Sequence, residues 1–190
     1  MARPKNYQRL NVLDAAMDTF WKYGYEGTSL SKLVQHTGLN KKSLYNEFGS
    51  KADIFQEVLE HYKKTMIPHQ EHLARVPLSP QNVLNYFKDI ASQTYNRTNG
   101  CLLTLCLNET YQVESTHAEF ARNHYIELES SFYKNLNSNP KVLDADVLAK
   151  YLTSSVLGLT SWIRLKPSKE EYRRTIDTIV SILKLRLEKL

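Results

Sequence analysis

Apolar residues recur at helical spacing along most of this chain, and no stretch sustains the period-2 alternation of a strand. That property alone predicts an all-α fold. Val12, Ala16, Thr19, Phe20 and Tyr23 share one face of a first helix over 7–23. Gly24 ends it, as a residue free to turn left-handed does. Short helices are expected at about 29–36 and 41–47. Thr28 or Ser29 can cap the first and Asn40 the second, since their side-chain oxygens accept a backbone N–H left open at a helix start. Gly38 supplies the positive φ of the turn between them. Leu30, Leu33, Val34, Leu39, Leu44 and Phe48 would form a small shared core. A fourth helix opens at Ser50, with Asp53 in the partner position of a capping box. Its apolar face is Ile54, Phe55, Val58, Leu59 and Tyr62.

A loop with Pro68, Pro77 and Pro80 interrupts the pattern. Helices then fit at about 80–96, 101–113, 115–136, 144–165 and 168–189, broken at Asn99-Gly100, Asn137-Ser138-Asn139-Pro140 and Lys166-Pro167-Ser168. The expected division is a module over 1–50 and a helical domain over 51–190. Apolar residues make up 42% and charged residues 24%, which suits a packed protein rather than a disordered one. No apolar run reaches the roughly 20 residues that span a bilayer. The start, Met1-Ala2-Arg3-Pro4-Lys5, lacks the apolar segment of a signal peptide, so a cytoplasmic location is expected.

Charge is unevenly spread. Residues 1–50 hold seven Lys/Arg against four Asp/Glu, whereas the rest hold eighteen against sixteen. Positive charge gathered at one end suits a module that meets phosphates. Two short helices about a glycine turn form the helix-turn-helix pattern, whose second helix enters the major groove of DNA. Here that helix begins Asn40, Lys41, Lys42, Ser43. Tyr45 and Asn46 face outward if Leu44 and Phe48 face inward. Lys41 or Lys42 can reach guanine acceptors or phosphate, and Asn46 can pair with adenine. Thr28 and Ser29 place hydroxyl and N–H groups at a helix start, a phosphate site. Lys51, at the next helix start, is a candidate phosphate clamp. The plainer reading of the same residues is a polar surface on a small helical domain.

Gly27-Thr28-Ser29, followed by the run from Leu39 to Phe55 with its Tyr45-x-x-Phe48 and Lys51, resembles the signature of the TetR repressor family. The resemblance covers about residues 7–63. It implies a phosphate contact for Lys51 and a DNA-backbone contact for Tyr45. Many members carry histidine where this chain has Glu47, an acid expected to point away from DNA or to pair with a neighbouring lysine. The family further implies an all-α homodimer whose C-terminal domain binds a small inducer. Asn99-Gly100-Cys101-Leu102-Leu103 resembles a Gly-Cys segment of one branch, which includes regulators of reactive or aromatic compounds.

The C-terminal helices add their own pattern. Leu148, Leu152, Ser155, Gly158, Leu159 and Trp162, with Ile176, Ile179 and Leu183, fit either a dimer seam or an internal core. Ser154, Gly158 and Ser161 make a small-residue strip that admits a close helix. Among the many aromatics, Tyr95, Tyr111, Phe120, Tyr125 and Trp162, with Cys106, are candidates to line an apolar ligand cavity. Cys101 and Cys106 stand roughly 8–9 Å apart on a helix, too far for a disulfide. Either can be an inert thiol or one that senses oxidants. His69 and His72 read as solvated loop residues rather than a metal site. No cofactor is indicated, and no nucleophile–base pair, phosphate loop or metal-ligand spacing supports a helical enzyme or carrier that keeps the motif as scaffold. A repressor released from DNA by a small apolar or aromatic molecule is the leading expectation. A thiol-based regulator or an activator is the alternative.

Overall fold

The computed structural model describes residues 8–66, 68–93, 99–109 and 115–188. The described elements are α1 (Arg9–Gly27), α2 (Leu30–Thr37), α3 (Lys41–Phe48), α4 (Lys51–Met66), a 3-10 helix (Pro68–Ala74), α5 (Pro80–Gln93), α6 (Leu102–Asn108), α7 (Ser115–Asn137), α8 (Ala145–Trp162), a 3-10 turn (Ile163–Leu165) and α9 (Lys169–Glu188). No strand occurs among the described residues, as the helical spacing requires. None of their helices is long and apolar enough to cross a membrane. The chain divides into two compact units. One comprises Met1–Ile67 and Leu105–Ala121, the other Pro68–Thr104 and Arg122–Leu190.

In the first unit α1 buries Val12, Leu13, Ala16, Met17, Phe20 and Trp21, a wider face than its spacing suggests. Phe20 meets Phe55 at 4.8 Å between ring centres, and Trp21 meets the edge of Tyr62 at 5.2 Å. Such pairs add about 0.5–1.5 kcal/mol beyond the area they bury. All five residues of the expected α4 face are buried. This compact unit therefore runs past residue 50, the expected boundary, because α4 packs on α1. Gly24 breaks α1 with φ 75° and ψ 175°, and a last turn continues to Gly27. The capping box at α4 forms: the Ser50 N–H donates to Asp53 Oδ2 at 2.7 Å, and the Asp53 N–H to Ser50 Oγ at 3.2 Å. The bonds from the Ser50 backbone and then from its hydroxyl hold the Asp53 carboxyl below the usual carboxylate range.

In the second unit α5 packs on the 3-10 helix and on α9, and α8 packs on α9. Tyr86, Phe87 and Phe132 form its aromatic centre, with Tyr86 edge-on to Phe132 at 5.1 Å. A second capping box, Ser168 with Glu171, starts α9. His72 is not merely solvated: its Nε2 lies 2.5 Å from Asp89 Oδ2. The side chain of His69 falls outside the described residues. Of the proposed dimer-seam residues, Leu148, Leu152, Leu159, Ile176, Ile179 and Leu183 are buried within the protomer itself. Those stripes face each other and the rest of their own core, so the internal-core reading holds for them. Ser155 and Trp162 are half-buried and Gly158 is exposed. The apolar side chains that α8 and α9 leave outside are Val147, Tyr151, Ile182 and Leu185.

Candidate nucleic-acid interface

Ser29 caps α2, its hydroxyl accepting the Lys32 N–H at 3.3 Å. Gly38 closes α2 in the left-handed conformation at φ 70°. Two residues later Asn40 caps α3, its Oδ1 accepting the Ser43 N–H at 2.9 Å. The turn is thus fixed by a side-chain cap at each helix start and a glycine between them. Leu44 and Phe48 are buried, which fixes the roll of α3. Lys41, Lys42, Tyr45 and Asn46 are consequently exposed, along with Asn40, and Ser43 is half-buried. The Lys41 Nζ stands 5.9 Å from the centre of the Tyr45 ring.

Thr28 departs from its expected role. It is fully buried, and its hydroxyl donates to Gly24 O at 2.6 Å, back toward the break in α1. That hydroxyl closes the end of α1 and is turned away from any phosphate. Ser29 remains at the surface. Lys51 is half-buried at the start of α4, with Nζ 4.2 Å over the Tyr25 ring. Lys32 donates from Nζ to Gly27 O at 2.7 Å.

Glu47 pairs with an arginine, not a lysine. Arg9 Nε lies 3.1 Å from Glu47 Oε1, while Arg9 Nη2 reaches Glu57 at 2.5 Å and the guanidinium sits 4.6 Å over the Phe48 ring. The hydrogen bond to Glu57 raises the Arg9 pKa above its ordinary value; burial opposes it, and the charges of Glu57 and Glu47 add to the rise. Arg9 was missing from the sequence-based site. Its partners stand 38 and 48 residues away, and no local pattern points to them.

The ligand candidates are dispersed. Tyr95 and Tyr111 fall outside the described residues. Cys106 and Phe120 belong to the first unit, and Tyr125 and Trp162 to the second. Cys106 is fully buried, with its thiol pushed up to about 12, first by burial and then by the charge of Glu109. Its Sγ donates to His117 O at 3.6 Å. Cys101 is half-exposed and accepts a hydrogen bond from the Tyr125 hydroxyl at 3.5 Å. That hydroxyl lies 2.5 Å from Thr104 Oγ1, which is 3.0 Å from Thr160 Oγ1. This polar cluster escaped the sequence reading because threonine in a helix carries no signal of what it faces. Trp162 stacks on Tyr172 at 5.8 Å and lines a groove with Ser155, Gly158, Leu159, Thr175 and Ile179. Among the described residues no cluster of three His, Cys, Asp or Glu could hold a metal ion.

A capped helix-turn-helix whose second helix presents two lysines, a tyrosine and an asparagine to solvent defines the class of DNA-binding regulators. Residues 12–58 match the family described as bacterial regulatory proteins, tetR family. The chain is 28% identical to the uncharacterized HTH-type transcriptional regulator YezE of Bacillus subtilis, over 96% of this chain and all of that one. It is 24% identical to the HTH-type transcriptional repressor BdcR of Escherichia coli, over 98% of this chain and 94% of that one. A CifR cysteine mutant in complex with operator DNA superposes at a TM-score of 0.81 with 22% identity, covering 95% of this chain and 98% of that one. Reduced NemR of Escherichia coli superposes at a TM-score of 0.75 with 17% identity, covering 93% of this chain and 94% of that one. These structures share the fold. Residues 12–58 thus match the tetR-family DNA-binding domain, and YezE and BdcR, similar to this chain over nearly its whole length, are transcriptional regulators.

Proposed function

We propose that the protein is a homodimeric repressor that reads an operator with Asn40, Lys41, Lys42, Ser43, Tyr45 and Asn46 of α3. Ser29 and Lys51 would hold the flanking phosphates, and a small apolar or aromatic ligand would release the DNA. The exposed face of α3 is the observation that carries this reading: burial of Leu44 and Phe48 leaves only groups that can bond bases or phosphates pointing outward. YezE, BdcR and the operator-bound CifR are in keeping with it. A dimer suits two half-sites about one helical turn apart. Its surface would be the outer face of α8 and α9, where Val147, Tyr151, Ile182 and Leu185 stand exposed around the open strip at Gly158. Replacing Lys41, Lys42 and Asn46 together by alanine should cost roughly 1–3 kcal/mol of discrimination for each base pair read. Electrophoretic shift with the DNA upstream of the chain's own reading frame measures it, and unchanged binding would refute the role of α3.

A second reading is favoured by the half-exposed Cys101, set against the Tyr125 hydroxyl: a thiol that takes the signal in place of a bound ligand. The fully buried Cys106, whose thiol sits at about 12, is a poor nucleophile at neutral pH. Iodoacetamide at pH 8 should therefore add one label quickly, at Cys101, and a second only on unfolding. Mass spectrometry locates the adduct. Oxidant release of DNA that survives Cys101→Ser rules out the thiol reading at that residue.

A further inference from the structure

The turn that closes α6 carries a carboxylate set at the base of the reading head. Glu109 belongs to the segment Leu105–Ala121, which is part of the first compact unit. Its own N–H donates to Leu105 O and Cys106 O at 3.2 Å each, so its backbone is fixed. Its Oε2 accepts the Tyr25 N–H at 2.8 Å. Tyr25 directly follows the break at Gly24, where a backbone donor loses its partner in the preceding turn. The fit at Gly24 is close. A Cβ there would collide with the Glu109 carboxylate, and φ 75° already favours glycine. Glycine thus serves both the break and the approach of the acid.

From Tyr25 the chain of contacts leads to DNA. Its ring lies 4.9 Å from that of Phe55 on α4 and stacks on Phe20 at 6.1 Å. The Lys51 ammonium sits 4.2 Å over the ring. A cation over an aromatic face is held by the ring's quadrupole, so the plane of Tyr25 decides where the ammonium stands. We infer that Glu109 is a positioning residue for DNA binding. It holds the Tyr25 peptide, Tyr25 holds Lys51, and Lys51 meets the phosphate. This inference rests on the proposed phosphate contact of Lys51.

The test uses the full-length protein. Glu109→Gln keeps an acceptor oxygen for Tyr25, and Glu109→Ala removes it. Exchange of the Tyr25 amide, followed by NMR, reads the hydrogen bond without DNA. Binding to the upstream duplex across a salt series reads the consequence. For Glu109→Ala, Tyr25 exchange should accelerate at least about tenfold, the salt slope should fall by about one per subunit, and affinity should drop roughly tenfold. Glu109→Gln should resemble the unsubstituted protein in all three. Adding Glu109→Ala to Lys51→Ala should change binding little further, because both act through one contact. Tyr25→Leu is the check should Glu109→Ala fail to fold: it leaves the bonded peptide and removes the ring, and should lower the slope equally. An unchanged slope in Glu109→Ala or Tyr25→Leu overturns the inference, as does full additivity with Lys51→Ala. If the unsubstituted protein shows no salt-dependent binding to the duplex, the repressor reading fails instead. A Tyr25 amide unprotected in that protein overturns the inference regardless of DNA.

Discussion

The outward faces of α3 and α8 are opposites. Each helix buries a leucine stripe: Leu44 with Phe48 on α3, and Leu148, Leu152 and Leu159 on α8. What remains outside is Lys41, Lys42, Tyr45 and Asn46 on one, and Asp146, Val147, Lys150, Tyr151, Ser154 and Gly158 on the other. The first face is at ease in water and gains by meeting an anion. The second carries the exposed Lys150–Asp146 pair, but its Val147 and Tyr151 gain by leaving water, and Gly158 presents a gap where another backbone can approach. Exposed charge on a short capped helix thus marks a surface that visits a ligand reversibly. Exposed apolar area on a long helix suits one that a partner covers, as in the dimer proposed above.

Three substitutions can break or sharpen that contrast. Gly158→Trp should have the largest effect. No atom lies within 4 Å of a Cβ built there, so the protomer has room, while a close crossing by a second chain does not. Light scattering should report a monomer with nearly unchanged melting temperature. A monomeric mass for the unsubstituted protein at micromolar concentration would remove the partner from the account altogether. Next is Leu44→Ala on α3, which empties a fully buried site and should cost about 2–5 kcal/mol in urea unfolding, taking DNA binding with it. The smallest is Val147→Ala. Val147 is 59% exposed, so the change should stay within about 0.5 kcal/mol for the isolated protomer. A loss from Val147→Ala comparable to that from Leu44→Ala, at concentrations too low for association, would show that the two faces do not differ as described.

The two faces also differ in how well they can be read from sequence. The reading head is local. Asn40 caps Ser43, Gly38 turns, and Ser50 meets Asp53, each within three residues, so pattern and structure agree. Thr28 failed because two adjacent hydroxyl residues could both cap α2, and sequence cannot say which turns inward. The outer helices are read less well for a geometric reason. A heptad-like stripe shows that Leu148, Leu152, Ile176 and Ile179 are covered, but not by what, and here the same chain covers them. The exposed Val147 and Tyr151 lie one position off the stripe, where spacing alone reads as noise. Long-range pairs such as Tyr25 with Glu109, 84 residues apart, leave no local trace at all.

Arg9 ties α1 to α3 and α4 with one side chain, bonded to Glu47 and Glu57 and lying over Phe48. Its consequence concerns how such a chain can change over generations. In the proposed reading of α3, an acid at position 47 is offset in part by the arginine it shares with Glu57, and lysine would lose the fork that serves two acids at once. Positions 9, 47 and 57 are therefore expected to vary as a set. In a relative with histidine at the place of Glu47, an arginine at the place of Arg9 would face a second potential cation, and should give way to a neutral or acidic residue. Glu47 is then one half of an exchange whose other half lies at the start of the first helix.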